Sequence, residues 1–400
     1  MKWMFIVMLL LGSACSSNDA MPENQEEDDP IVSPPEEDVD TIRFASFNVS
    51  LFGNSEGNIE NILDGPDNAR VKRIAEIIQR QRPDVIALKE IDYDEAQRAV
   101  KRFRRNYLEV SQNGQDTIKY NYYCAVPTNT GVLSEADLDG NGNVSLPNDA
   151  YGFGNFPGQY GFAILSRYPL DVDNARSFRE LLWKDMPDAL LPETAGGESY
   201  YSEEALDVFR LSSKNHLDVG VVVPNGSPIH ILVSHPTPPV FDGAEDRNGK
   251  RNHDEIRLWA DYISGEAYMT DDDGNTGGLA GGSSFVVMGD LNADPLDGDS
   301  TNDAISQLLD HSAVNQAVVS GDFVPSSAGG AEHNQQAGNQ GDPAYDTSFF
   351  GLRIDYVLPS ADLEVVGSGV FWPASTDPLS YLVENEASSD HLMVWVDVIR

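Results

Sequence analysis

Several apolar runs of strand length in this chain end on side chains that can bind a cation, hold an anion or move a proton. "FVVMGDLNADP", residues 285 to 295, leads into Asp290, Asn292 and Asp294; "TIRFASFN" ends on Asn48, "DVIALKE" on Glu90 and "IHILVSH" on His235. Nearer the C-terminus, "RIDYVLPS" supplies Asp355, and "SSDHLMVWVDV" supplies Asp390 and His391 just ahead of a strand. Singly, each has an ordinary reading, because Asp, Asn and Pro after a strand form turns and carboxylates form salt bridges. Glu90 asks for more. Alternation puts it on the face of Ile86 and Leu88, where a carboxylate extending an apolar stripe needs a cation or a hydrogen-bond donor.

The elements that would position these groups are readable too. Runs rich in Val, Ile and Phe, bounded by turn residues, suit strands buried on both faces, as in a sheet held between another sheet and helices. Their polar ends can then share one rim. Val71, Ile74, Ala75 and Ile78 recur at helical spacing and Pro83 stops that helix; Ile256, Trp259, Ala260 and Ile263 repeat the pattern before "GNTGGLAGGSS". The order is strand, helix, strand, then further strands and helices, closing on "HLMVWVDVI".

Length and charge bound the function. The 400 residues, 40% hydrophobic and without a long repeat, suit one large domain. With 26 Lys and Arg against 65 Asp and Glu, the net charge of −39 repels polyanions and anionic membranes, which excludes a broad basic groove for nucleic acid. Lys2, the apolar run "WMFIVMLLL" and "GSAC" before Cys15 resemble a bacterial lipoprotein signal over residues 1–15, with plain secretion left open because Gly12 stands where Leu is usual. Residues 16–40, acidic, without Lys or Arg and with four prolines, read as a disordered tether, so the folded domain is expected over 41–400. These features predict an exported protein, anchored to a membrane only through its N-terminal lipid or free, and monomeric. Cys124 is the one cysteine of the folded part and reads as a small buried hydrophobe.

Taken in order, "SFNVSLFG", "ALKEID", "GQYGFAILSRYPL", "SHPTPP", "GDLNADP", "RIDYVL" and "SSDH" resemble the motifs of the endonuclease/exonuclease/phosphatase superfamily across residues 41–400. The resemblance implies an α/β (α+β) fold, a four-layered αββα sandwich with two face-to-face β-sheets flanked by helices. It also implies divalent-metal-dependent hydrolysis of phosphate esters, as a phosphodiesterase or phosphatase, with Mg²⁺ or Mn²⁺. Such a reaction must neutralise an anionic centre, position a water and stabilise a departing oxygen. By the same resemblance Glu90 is the primary metal ligand, Asn48 orients it or the metal, and Asp390 is the acid of a second metal site. Asp290 stands near the nucleophilic water with Asn292 as hydrogen-bond partner, while His235 contacts the phosphate, His391 contacts it or handles a proton, and Asp355 holds the His391 ring and raises its basicity. Tyr160 lies close to the family's phosphate-contacting tyrosine, with ring packing as its other reading. Lys89 stands where Gln is commonest, and alternation sends it to the face opposite Glu90.

Three segments add expectations of their own. In "LSSKNHLDV", Lys214, His216 and Asp218 alternate onto one strand face, for substrate contact or a solvated surface. "DLDGNGNVSLPN", 137 to 148, places Asp137, Asp139 and Asn141 as in an EF-hand calcium loop, but with Asn148 in place of the closing Glu, so Ca²⁺ and a plain turn-rich insertion both stay open. "FDGAEDRNGKRNHDEIR", 241 to 257, reads as a charged loop over the site. Two alternatives accompany the phosphate-ester reading: an extracellular nuclease cutting DNA or RNA, and a calcium-dependent binding module without catalysis.

Overall fold

The computed structural model describes residues 41–224, 226–333 and 338–399, so the signal and tether read from residues 1–40 lie outside the described residues. Alternating and continuous apolar runs form eleven strands there: β1 (Ile42–Leu51), β2 (Val85–Ile91), β3 (Tyr122–Ala125), β4 (Phe162–Ser166), β5 (Leu170–Ser177), β6 (His216–Val221), β7 (Ile229–Ser234), β8 (Phe285–Asp290), β9 (Asp355–Pro359), β10 (Glu364–Val370) and β11 (Val394–Ile399). They make a six-stranded sheet in the order β10-β11-β1-β2-β4-β3 and a five-stranded sheet in the order β5-β6-β7-β8-β9. The sheets pack face to face, β1 and β2 against β8, and β1 and β11 against β9. With helices on the outside this is the αββα sandwich. Central strands β1, β2, β7 and β8 are buried almost throughout, which is why their sequences are continuous rather than alternating.

The two long helices fall where the apolar periodicity puts them. Ala69–Gln81 buries Val71, Ile74, Ala75 and Ile78; the Asn68 side chain caps it by accepting from the amides of Arg70 and Val71, and left-handed Arg82 ends it just before Pro83. Arg247–Ser264 buries Ile256, Trp259 and Ala260, and ends on Gly265 at φ 80°. Trp259 ties it to β7 through a 2.9 Å hydrogen bond from its indole nitrogen to Ser234 Oγ. Residues 247–257, expected as an overhanging loop, are the first turns of this helix; Arg251, Asn252, Asp254 and Glu255 are buried on its inner face. The charges there are spent on neighbouring backbone, which a charge pattern alone does not reveal. Cys124 is buried and free.

Candidate active site

Strand direction gathers the polar ends. β1 and β2 run parallel, as do β7 and β8, so Asn48, Glu90, His235 and Asp290 all emerge at the same edge of the sandwich. β9 is antiparallel to β8 with Asp355 opposite Asp290, and β11 is antiparallel to β1, so Asp390 and His391 enter from the loop ahead of β11 at that same edge. Four rim residues hold a left-handed backbone, Ser50 at φ 45°, Glu90 at 57°, Tyr160 at 56° and Asn292 at 52°. A non-glycine residue in this region is uncommon and concentrates at functional sites.

Asp290 is the hub. Its Oδ2 accepts from Asn48 Nδ2 at 3.0 Å across the two sheets, while Nε2 of His235 and of His391 stand 3.4 and 3.6 Å away. Both histidines therefore flank the carboxylate beyond good hydrogen-bond distance. The Asn292 amide donates to Asp290 Oδ1 at 3.1 Å, and its side chain donates to the carbonyl of Pro236 at 3.2 Å. Behind His391, Nδ1 meets Asp355 Oδ2 at 2.8 Å, and the same oxygen accepts from Thr347 Oγ1 at 3.0 Å. Burial pulls the His391 imidazole down, but the carboxylates of Asp355 and Asp290 outweigh it and hold the ring well above the ordinary histidine value. His235 goes the other way: burial, reinforced by Lys214 and His391, keeps it neutral. One edge thus presents a protonated imidazole and a neutral one on either side of a single carboxylate.

Beside this hub lies an acidic pair. Burial pushes the Glu90 carboxyl up to about 7, His391 opposes that, and Asp290 and Asp390 add to it. Asp390 is fixed by Ser50 Oγ at 2.8 Å and Ser389 Oγ at 3.2 Å. Arg70 pins the surrounding backbone, donating to the carbonyls of Val49 at 3.1 Å, Ser50 at 2.8 Å and Ser388 at 2.8 Å, but neither carboxylate forms a salt bridge with it. Carboxylate oxygens with serine-fixed orientation and mutual repulsion are a hard donor set, and Glu90 and Asp390, with Asn48 beside them, fit a divalent cation such as Mg²⁺. The tightest cluster of ligand-type atoms at this rim is instead Asp290, Asp355 and His391, within 4.8 Å of one another. Within it the His391–Asp355 hydrogen bond fixes the imidazole ring.

Several expectations are changed by these contacts. Lys89 takes the face opposite Ile86 and Leu88 but does not stand clear of the site: it is fully buried between the sheets, with Nζ donating to Ser46 Oγ at 2.7 Å and Ala87 O at 3.2 Å. Burial lowers its basicity to about 7, while Asp355 and Asp290 oppose that shift from the hub above it. Glu90 reaches the same rim because its left-handed backbone breaks the alternation that would have continued the Ile86–Leu88 stripe. His216 is not in the site; it is buried in the core between Ser212 Oγ at 2.6 Å and the carbonyl of Glu255 at 2.8 Å. Asp218 is likewise structural, paired with His230 and Tyr262. Of that trio Lys214 alone belongs to the site, buried with Nζ 3.3 Å from the Pro236 carbonyl and within electrostatic range of Glu255, Glu90 and Asp290. Tyr160 is half-buried at the rim, packed on Phe52 with ring centroids 4.6 Å apart; burial and then Glu90 and Asp92 raise its hydroxyl. Phe241, in the loop after His235, is 88% exposed.

The 137–149 segment closes on a residue that the EF-hand spacing misses. Buried Asp149, one position later than Asn148, meets Asp137 and Asp139 with ligand atoms within 4.8 Å. Asn148 serves as a donor to Asp139 Oδ2 at 3.0 Å, and Asn141 turns back on its own loop, accepting from the Asn143 amide at 2.8 Å. Asp149 accepts from the amides of Leu138 at 2.7 Å, Asp139 at 3.3 Å and Ser145 at 2.7 Å, so its carboxylate caps the loop. Asp149→Ala is expected to destabilise the protein by about 2–4 kcal/mol in chelating buffer, read by urea denaturation, because three amides lose a charged acceptor. Unchanged denaturation would remove the cap from the account.

The sequence matches the family model described as Endonuclease/Exonuclease/phosphatase family over residues 45–391. No curated protein matches it significantly. Among solved structures, an endonuclease/exonuclease/phosphatase from Beutenbergia cavernae is 17% identical, with 90% of this chain and 71% of that one covered and a TM-score of 0.49. A Bacteroides thetaiotaomicron mannosyl-6-phosphatase is 14% identical, with coverage of 90% and 100% and a TM-score of 0.44. TDP2 from Caenorhabditis elegans is 13% identical, with coverage of 90% and 74% and a TM-score of 0.44. With its motifs in order along the chain and together at one edge of an αββα sandwich, this protein belongs to the endonuclease/exonuclease/phosphatase family.

Proposed function

We propose that this protein is a divalent-metal-dependent phosphoesterase acting on a small or exposed phosphate ester. The observation that supports it best is the arrangement at Asp290, where a carboxylate fixed by Asn48 stands between neutral His235 and protonated His391, beside the acids Glu90 and Asp390. When bound at Glu90 and Asp390, Mg²⁺ or Mn²⁺ supplies Lewis-acid stabilisation of negative charge on the phosphate. The chain does the rest. His391 donates its Nε2 proton to the ester oxygen that departs with the alcohol while Asp355 holds Nδ1, and His235 and Lys214 line the other side of the anion. Asp290 accepts the proton of the attacking water as the P–O bond to the leaving alcohol breaks, with Asn292 oriented beside it.

The charge around the mouth favours a small ester over a long polyanion. Arg70 and Lys89 are committed to carbonyl and hydroxyl acceptors of the chain itself. The loops that follow His235 and Asp290 bring Asp242, Glu245, Asp246, Asp297 and Asp299, and Phe350 stands edge-on to His391 with ring centroids 5.7 Å apart. Export, by a lipid anchor at Cys15 or by plain secretion, is part of the same proposal and rests on the residue types of 1–40.

The deciding experiment is a panel of p-nitrophenyl phosphate, bis-p-nitrophenyl phosphate, sugar phosphates, nucleotides, phospholipid and plasmid DNA with residues 41–400. Turnover of small esters, abolished by EDTA and restored by Mg²⁺ or Mn²⁺, is expected. Undiminished turnover in chelator overturns the metal reading, and a marked preference for plasmid DNA replaces the small-ester reading with the nuclease one.

A further inference from the structure

Three of the segments that carry site residues end on one turn of one helix. Glu255 and Asn252 lie on the buried face of Arg247–Ser264 and are inaccessible to solvent. Glu255 Oε1 accepts from the Ser213 amide at 2.6 Å and its Oε2 from the Thr237 amide at 2.6 Å. Ser213 directly precedes Lys214, and Thr237 is two residues beyond His235. Asn252 Nδ2 donates to the Thr237 carbonyl at 2.8 Å and to the Leu291 carbonyl at 2.9 Å, and Leu291 stands between Asp290 and Asn292.

Neither side chain hydrogen-bonds to the segments that carry Glu90 and Asp390; Arg70 instead ties the end of β1, at Val49 and Ser50, to Ser388 just ahead of Asp390, and Glu90 sits on β2, paired in register beside β1. The rim therefore has two independent anchors. We propose that Glu255 and Asn252 are positioning residues that set the phosphate-binding half of the site, Lys214, His235 and Asn292, separately from the half that holds the metal. This rests on the phosphoesterase reading above.

The chemistry argues against a merely packing role. A buried carboxylate is tolerated only when charge-assisted hydrogen bonds satisfy it, and both oxygens of Glu255 are filled by loop amides rather than by its own helix. Asn252 keeps its Oδ1 without a partner, a penalty that an aliphatic side chain would not carry, so the position is selected for the two bonds of its Nδ2. Glu255 also faces Lys214, where its charge is the foremost influence opposing the loss of the ammonium proton in a buried setting. The anchor thus fixes where the lysine sits and sets the carboxylate that most opposes the effect of its burial. A site group displaced by about an ångström costs on the order of 10²-fold in rate.

The test compares full-length parent, Glu255→Gln and Asn252→Ala. Glu255→Gln keeps the side-chain size but turns an NH2 group toward one loop amide, which releases that loop. Expected for both variants are a kcat lower by about 10- to 100-fold and a raised KM for the best substrate of the panel. The Mg²⁺ concentration for half-activation should stay within about twofold of the parent, since Glu90 on β2 and Asp390 beside Ser50 make no hydrogen bond to this helix. Binding of inorganic phosphate, measured by calorimetry, should weaken in parallel with KM. The His235 ring correlations in NMR spectra, assigned with His235→Gln, should move.

Folded variants with parental kcat, KM and phosphate affinity overturn the proposal, as does a loss of Mg²⁺ activation in proportion to the loss of phosphate binding. If the parent neither turns over an ester nor binds phosphate, the phosphoesterase reading fails by itself, and unmoved His235 resonances then reject the positioning role. Should Glu255→Gln not fold, Asn252→Ala, which leaves the buried charge in place, carries the same comparison.

Discussion

Glu90→Ala is expected to lower ester turnover by at least about 10³-fold and to raise the Mg²⁺ requirement beyond saturation, because it removes the partly accessible carboxylate at the centre of the hard donor set. Its electrostatics give a second, independent reading in metal-free protein. The Glu90 carboxyl is lifted from 4.5 to about 7 by burial, with Asp290 and Asp390 adding to that and His391 opposing it. A carboxyl raised on folding contributes stability below its unfolded value and loses that contribution as the pH climbs toward the folded one. In EDTA the parent should therefore lose roughly 1–3 kcal/mol between about pH 4.5 and 7 that Glu90→Gln does not lose. Added Mg²⁺ should reverse the difference by stabilising the parent alone. Equal pH–stability curves for parent and variant, together with unaltered Mg²⁺ activation, would remove Glu90 from the metal site.

His391→Ala should lower kcat by about 10² to 10⁴-fold, the range for a positioned acid or base, with Mg²⁺ activation much less affected than in Glu90→Ala. Burial depresses the ring, yet Asp355 and Asp290 hold it well above the usual histidine value, so it enters the reaction protonated. The rate should then fall on the alkaline side as that proton is lost. Asp355→Asn keeps the shape and Thr347 contact but removes the charge, so the alkaline limb should move to lower pH and the maximal rate should drop less than in His391→Ala. A folded His391→Ala enzyme with near-parental kcat and an unmoved alkaline limb would make the histidine a packing residue under Phe350 and reject its role as proton donor.

What the sequence by itself determined was the set of strand ends and their company. β1, β2, β7 and β8 are continuous apolar segments because they are buried on both faces, so their polar termini, Asn48, Glu90, His235 and Asp290, stand out within a few residues. The helices at 69–81 and 247–264 were legible from spacing because a helix shows its buried face in its own local period. The order of motifs carried the family and, with it, the sandwich.

The tertiary structure decided which direction each group takes and what stands opposite. Lys89 looked like a residue turned away from the site, and His216 like one turned toward it; the first lies under the hub and the second is in the core. Periodicity reports which face a residue occupies, but not whether that face meets solvent, a sheet or a carboxylate. Alternation also assumes an extended backbone, and left-handed Glu90 departs from it at the one strand end where the departure matters most. Arg70 is joined to Ser388 across 318 residues and Asn48 to Asp290 across 242, and Glu255 reaches loops on both sides of β6 and β7. Such partners are set by how two sheets and a helix pack, and a hydrogen bond across that packing leaves no spacing in the chain by which to read it.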